Sequence, residues 1–384
     1  MPDAQLAQTS NTLFFVAFIA YLVAMVAYFF RLAFTRVSLE GVPARTTTGE
    51  RVGRAATALA AGGAVVHLAS LLTRGLAAQR MPIANMYEYS SWLALLVIVI
   101  GLVVVQRRMG YHNLMGFVLA LAVLQMTSAL LLFAEAGPVV PALRSYWINI
   151  HVSAMMIASS VLIVAFGVTA LYLVKDTAER RVAGRSARRF GGSTVGAAQT
   201  PATGEGVEGR VEGASLDESG DVVGPLAQRD ALSPVAFPIV PFVVAAAFTL
   251  VVWRAPVAAL LAGSGAALLG IAAWYAVPHL PPAVNLDSLA YRIHTFAFPI
   301  LTFGVIAGAI WAQEAWGRYW GWDPKETGSF FTWVLYAGYL HARSTRGWRG
   351  TRAAWVAVAA FFALMVTYYA VNLFVVGLHS YAGV

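Results

Sequence analysis

Seven histidines, no cysteine and one eleven-residue stretch, WGRYWGWDPKE from Trp316 to Glu326, carry most of the chemistry this 384-residue sequence offers. Without a thiol the chain has neither disulfides nor a CxxC redox pair, so any thiol chemistry must come from a substrate or partner. The closing tetrad of the stretch reads first as a helix start. Asp323 is a good N-cap, Pro324 fits the first helical position, and Glu326 completes a capping box. Proton transfer by Asp323 or Glu326 is the alternative to that capping role. Neither reading explains Trp316, Trp320 and Trp322, which are three of the chain's eleven tryptophans and have Tyr319 among them.

One or two tryptophans at a membrane surface need only the aromatic belt. Three within seven residues make a wider aromatic surface. Beside a helix N-terminus, with Arg318 and Lys325 close by, such a surface suits a flat apolar ligand that carries acidic groups. Porphyrin with its two propionates is one, and haem b would also need iron ligands. His151, in WINIHVSAM, and His379, in GLHSYAGV, each lie at the end of an apolar run. A bis-histidine pair flanking an aromatic floor is what haem held at a membrane surface requires. His341, in YAGYLHARS, lies at the opposite end of its run; His67 and His294 lie within or near others, and His112 and His279 read as loop residues.

The elements that must position these groups follow from composition. With 59% hydrophobic and only 11% charged residues, and a mean hydropathy of +0.69, the chain has too little polar surface for a soluble globule. Apolar windows fall near 12–34, 55–73, 90–105, 112–133, 150–174, 236–252, 255–277, 291–313, 327–342 and 353–376. The first reads as a spanning helix and not as a signal peptide, and the pair 236–277 is open to reading as one broken re-entrant feature. Linkers on one side of the membrane hold 20 of the 26 Lys and Arg, which places them in the cytoplasm. The expected fold is therefore an all-α polytopic bundle of about ten transmembrane helices with both termini outside. His151, His379 and the tryptophan loop then share the outer face, and His341 the inner one. Residues 1–174 form an N-terminal five-helix region and 236–384 a C-terminal region. Between them, 175–235 opens with a basic helical continuation and becomes a Gly-, Ser- and Glu-rich cytoplasmic linker in which no site is expected. The net charge of +8 sits in short loops, where topology and anionic lipid explain it and nucleic acid is not needed.

The stretch WGRYWGWDPKE resembles the tryptophan-rich WWD signature of the haem-handling proteins of cytochrome c maturation. FPILTFGVIAGAIWA before it, TWVLYAGYLHAR after it and the terminal GLHSYAG look like the CcsA/ResC-type subunit, also called CcsB, of the system II cytochrome c synthase. The likeness is strong from about Leu286 to the end. It is looser from Arg80 to Lys175, where PIANMYEYSSW resembles the family's Asn-x-Tyr-Glu outer loop. The resemblance implies that His151 and His379 are axial ligands to haem presented at the WWD surface, and that His341 matches a membrane histidine that receives haem near the inner face. His67 and His294 become doubtful ligands, each open to reading as a packed helix residue. The resemblance further implies a cytochrome c haem lyase subunit of the cytoplasmic (inner) membrane, joining haem to the CxxCH of an apocytochrome c. It would work with a ResB-type partner and a thiol-reducing partner outside the membrane. The competing expectations are a system I haem-delivery protein with the same signature, and a haem exporter or transporter that uses the loop as a gate.

Overall fold

The computed structural model describes residues 3–37, 43–45, 47–137, 143–190, 225–345, 348 and 350–379. The helices are α1 (Ala4–Ala33), α2 (Thr47–Ala78), α3 (Met86–Ile100), α4 (Met115–Leu131), α5 (Tyr146–Phe190), α6 (Pro225–Asp230), α7 (Ala236–Trp253), α8 (Pro256–Ala276), α9 (Ala283–Trp316), α10 (Pro324–Ser344), α11 (Thr351–Met365) and α12 (Asn372–Phe374). Each of the ten apolar windows falls on one long helix. Eight of these helices are long and apolar enough to cross a membrane, and the chain is an all-α multi-pass membrane protein. The other two are α7, whose apolar part is short, and α10, whose first turns are polar. Among the described residues the only strands are a minimal antiparallel ribbon, Thr35–Val37 with Pro43–Arg45.

The chain forms two compact units. The smaller comprises residues 32–50 and 174–283. In it the basic continuation of α5 is helical to Phe190, and Lys175, 4% exposed, donates to the Gln228 side chain at 2.6 Å and the Val277 carbonyl at 3.1 Å. Residues 236–276 form a hairpin of two helices, α7 and α8. Its turn is made by Arg254 in the left-handed conformation. Gly270 lies so near the Phe237 carbonyl that no side chain fits there, which lets the two helices close on each other. Residues 191–224, most of the expected linker, lie outside the described residues.

The larger unit comprises residues 1–31, 51–173 and 284–384. It holds every candidate ligand, and three local features shape it. Asn85 caps α3 by accepting from the Glu88 N–H at 2.9 Å. Two π-helical segments, Gly101–Arg108 continuing α3 and Val366–Val371 continuing α11, re-aim the side chains beyond them, a device often found beside functional sites. Glu88, fully buried, is the hub of a charge cluster. Arg74 donates to it at 2.8 Å, both terminal nitrogens of Arg80 donate at 2.8 and 3.0 Å, and the Ala84 N–H donates at 2.8 Å. Arg74 also lies over the Tyr87 ring at 4.4 Å and donates to the Ala134 carbonyl, while Arg80 donates to Gly137. A buried pair survives only when its remaining valences are satisfied, and these bonds tie the α2–α3 loop to the chain that follows α4.

Candidate functional site

The N-terminal ends of α3, α5 and α10 meet the C-terminal ends of α9 and α11 around a cavity of about 180 Å³. That is roughly a dozen times the ~10–15 Å³ one water needs. The cavity lining includes His151, His379, Trp311, Trp320, Tyr319, Lys325 and Glu326, together with Ile83, Ala84 and Asn85 of the α2–α3 loop. Leu93, Met155 and Leu364 add apolar lining, and Tyr89 and Tyr368 line the cavity as well. The Tyr89 hydroxyl meets Ser159 at 3.3 Å, and Tyr368, in the π-helical segment, is bonded to Ser90.

His151 sits in the second turn of α5 because α9 leaves room for it. Its Nδ1 lies 2.7 Å from the Gly304 carbonyl, which only accepts, so Nδ1 carries the proton and Nε2 the lone pair. A methyl group on Gly308 would stand 2.6 Å from the His151 Cε1, and one on Gly304 would stand 2.7 Å from the Met155 sulfur. The Gly304 and Gly308 pair on one face of α9 is thus a slot for two α5 side chains.

His379 reaches the same cavity from the segment after α12. Its Nδ1 lies 2.7 Å from Asp323 Oδ2, and the Leu378 N–H donates to Oδ1 at 2.7 Å. Burial pushes the imidazole down to about 4, the Lys325 ammonium adds to this, and Asp323 opposes it. For the Asp323 carboxyl, burial acts upward but is outweighed by the Leu378 N–H, His379 and the Lys325 N–H, which hold it below the usual carboxylate range. The contact is therefore a neutral Nδ1–H donating to a carboxylate, with the lone pair again on Nε2.

Trp311 touches both histidines. It is 1% exposed, stacks parallel to His151 with 6.1 Å between ring centres and meets His379 edge-on at 5.5 Å. Trp316 packs against both Trp311, at 4.8 Å, and His379, at 4.7 Å. Trp320 lines the cavity, whereas Trp322 is 64% exposed, has a positive φ of 58° and meets Trp320 and Phe330 edge-on. The tryptophans make a folded aromatic wall, with Trp322 on its outer side. Glu326 shapes the loop. One of its oxygens accepts from the Gly321 and Asp323 N–H groups at 2.7 and 3.1 Å, and Arg318 lies 3.5 Å from the other. The capping box expected at Asp323 and Glu326 is present.

The sequence runs 83–379 match the family described as "Cytochrome C assembly protein". The chain belongs to that family. It is similar to the "Cytochrome c biogenesis protein CcsA" of Gloeobacter violaceus, 31% identical over 373 residues, which are 95% of this chain and 94% of the relative. The protein of that name in Synechococcus elongatus is 32% identical over 381 residues, 98% of each chain. That of Synechocystis sp. is 33% identical over 318 residues, 82% of this chain and 83% of the relative.

Of the residues singled out from sequence, His151, His379, Trp320 and Lys325 line one cavity, Trp316 backs His379, and Arg318 and Asp323 stand one contact behind. His341 is not brought to them. It lies 17 residues along α10 from Pro324, about 26 Å at 1.5 Å per residue, and its side chain is exposed. His67 is buried against Phe14, with its nitrogens 2.8 Å from Ser91 and 3.4 Å from Tyr21, and is a packed helix residue. His294 is packed against Tyr336 and Tyr339, with Nδ1 on the Ala290 carbonyl. Sequence reasoning missed Trp311, Gly308 and Tyr368. Trp311 left a signal, because it stands five residues before Trp316 at the end of an apolar run.

Proposed function

We propose that this chain acts in cytochrome c biogenesis by holding haem b, as substrate, at the outer face of the cytoplasmic membrane between His151 and His379. One observation carries the reading: two histidines 228 positions apart in sequence share one aromatic cavity, each with Nδ1 as donor and Nε2 as the lone-pair nitrogen. That is the form of imidazole that ligates iron. The donor set also fits the rest of the group. Trp311 and Trp320 offer aromatic faces, Lys325 offers a cation for a propionate, and Leu93, Met155 and Leu364 offer apolar contact.

Bound there, haem supplies two vinyl groups. A cysteine S–H of an apocytochrome CxxCH adds across each, sulfur bonding one carbon and hydrogen the other, with no net gain or loss of electrons. The cysteines must therefore arrive reduced, which calls for a thiol-reducing partner. The protein's contribution is to fix the ring plane and keep the reacting carbons in one place, since orientation supplies much of such a barrier reduction. No side chain of this chain has to act as nucleophile. His341 lies at the far end of α10, where a first haem contact with a ResB-type partner would be made.

Cells expressing the chain with a ResB-type partner provide the test, with holo-cytochrome c normalised to the membrane level of each variant. His151→Ala and His379→Ala should abolish maturation, and added imidazole should restore part of it. Normal maturation by the double variant would refute the reading.

A further inference from the structure

The Asp323 carboxylate makes a contact that neither capping nor proton transfer requires. Its two oxygens receive two donors from consecutive residues 55 and 56 positions away, Leu378 N–H on Oδ1 and His379 Nδ1 on Oδ2, both at 2.7 Å. The capping bond to the Lys325 N–H is the longest of the three, at 3.3 Å. The tail is moulded to receive this carboxylate. A methyl group on Gly377 would come within 2.7 Å of Asp323 Oδ1 and 3.2 Å of the Pro324 ring, so only glycine lets residues 375–379 lie flush against the start of α10. The Asp323 side chain is 4% exposed, which leaves little room for water to replace it as acceptor.

We propose that Asp323 is the positioning residue that holds His379 as its Nδ1–H tautomer and thereby points the Nε2 lone pair into the site; its importance for haem rests on the function proposed above. The chemistry turns on counting donors and acceptors. A carboxylate accepts from both Leu378 N–H and His379 Nδ1–H. An amide at the same place has one acceptor and one donor. If its oxygen stays with Leu378, its NH₂ faces Nδ1, and that pairing is satisfied only when the histidine proton moves to Nε2, the nitrogen iron needs. If its oxygen turns to His379, its NH₂ faces the Leu378 N–H and the tail loses its anchor. The capping Lys325 N–H donates to the oxygen that His379 also uses, so an asparagine keeps the cap only when its oxygen turns to His379, and its tautomer effect is read separately from capping. In a catalytic triad the corresponding exchange leaves the geometry intact and costs about 10⁴-fold in rate through the wrong tautomer. Removing the partner behind a metal-bound histidine typically costs about 10–100-fold in affinity.

The test uses full-length, haem-free protein in nanodiscs, labelled with ¹⁵N-histidine, as wild type and Asp323→Asn, with His379→Gln to assign the signal. The wild type should show His379 protonated at Nδ1 and bare at Nε2. Asp323→Asn should move the proton to Nε2 or split the signal, and titration with haem should then bind about 10–100-fold more weakly and recover its six-coordinate spectrum when imidazole is added. A wild-type His379 protonated at Nε2 would overturn the proposal without any variant, and so would an Asp323→Asn protein with unchanged tautomer and affinity. If the wild type takes up no haem, the proposed function fails, while the tautomer in the haem-free protein still decides the role of Asp323.

Discussion

Gly308→Ala is the smallest change that should move an iron ligand. The added carbon would lie 2.6 Å from His151 Cε1 and 2.7 Å from Nδ1, whereas ordinary carbon contacts begin near 3.5 Å. The ring has to retreat by roughly 0.8–1 Å, and it cannot swing freely because Nδ1 is bonded to the Gly304 carbonyl on the same helix at 2.7 Å. Overpacking of this kind costs about 1–3 kcal/mol. A displacement near 1 Å at a reacting site costs up to about 100-fold, equivalent to about 2.7 kcal/mol. Haem affinity of the purified variant should therefore fall about 10–100-fold, with a shift from the bis-histidine spectrum. Two other glycines serve as controls. Gly304→Ala meets the Met155 sulfur at 2.7 Å, the end of a flexible side chain, and should be milder. Gly338→Ala meets nothing within 4 Å and should bind haem normally. Wild-type affinity and spectrum in Gly308→Ala would refute the slot and with it the placement of His151.

Replacing Glu88 by Ala strands Arg74 in the interior and should destabilise the protein by about 3–5 kcal/mol, visible as a loss of membrane level and a lower unfolding temperature. Trp311→Ala removes a buried ring that packs on both histidines and should cost about 3–5 kcal/mol, read as lower stability and altered ligation, whereas Trp322→Ala should leave haem titrations unchanged because its ring is 64% exposed. His379 has a folded value near 4, below the 6.5 of an ordinary histidine, so the folded haem-free protein excludes a proton that the unfolded chain accepts. Its contribution is intact above about pH 6.5 and is lost as pH falls toward 4. Denaturation midpoints measured across that window should fall less steeply in His379→Gln. Because the chain lacks cysteine, single cysteines report topology cleanly. Tyr319→Cys should react with an impermeant reagent in intact cells and Gly204→Cys should not.

The fold was legible because crossing a membrane imposes a length, and ten apolar windows mapped onto ten helices. Boundaries were less legible where polar residues enter a helix for reasons outside it. Ser90–Val105 is part of a helix that starts at Met86, because Glu88 is neutralised by Arg74 and Arg80 from the preceding helix and loop. The stretch 327–342 gains its first turn from the Asp323 and Glu326 capping box, which is a local signal and was read correctly. The site was legible where its residues are rare. Two end-of-helix histidines and a tryptophan cluster stand out in an apolar chain, and the structure brings the histidines and Trp320 to one cavity. What the sequence hid is non-local. A carboxylate that caps a helix at 323 looks the same whether or not a histidine 56 residues later binds it. A glycine at 308 looks like any small helix-packing residue until His151 is set against it.

The absorption spectrum of the purified protein loaded with ferrous haem addresses the proposed ligation most directly. Wild type should show the sharp, split bands of low-spin haem with two histidine ligands. His151→Ala and His379→Ala should each lose that form and regain it with imidazole. An unchanged low-spin spectrum in the His151→Ala, His379→Ala double variant would contradict it, because the iron would then be held by residues other than the pair that this cavity brings together.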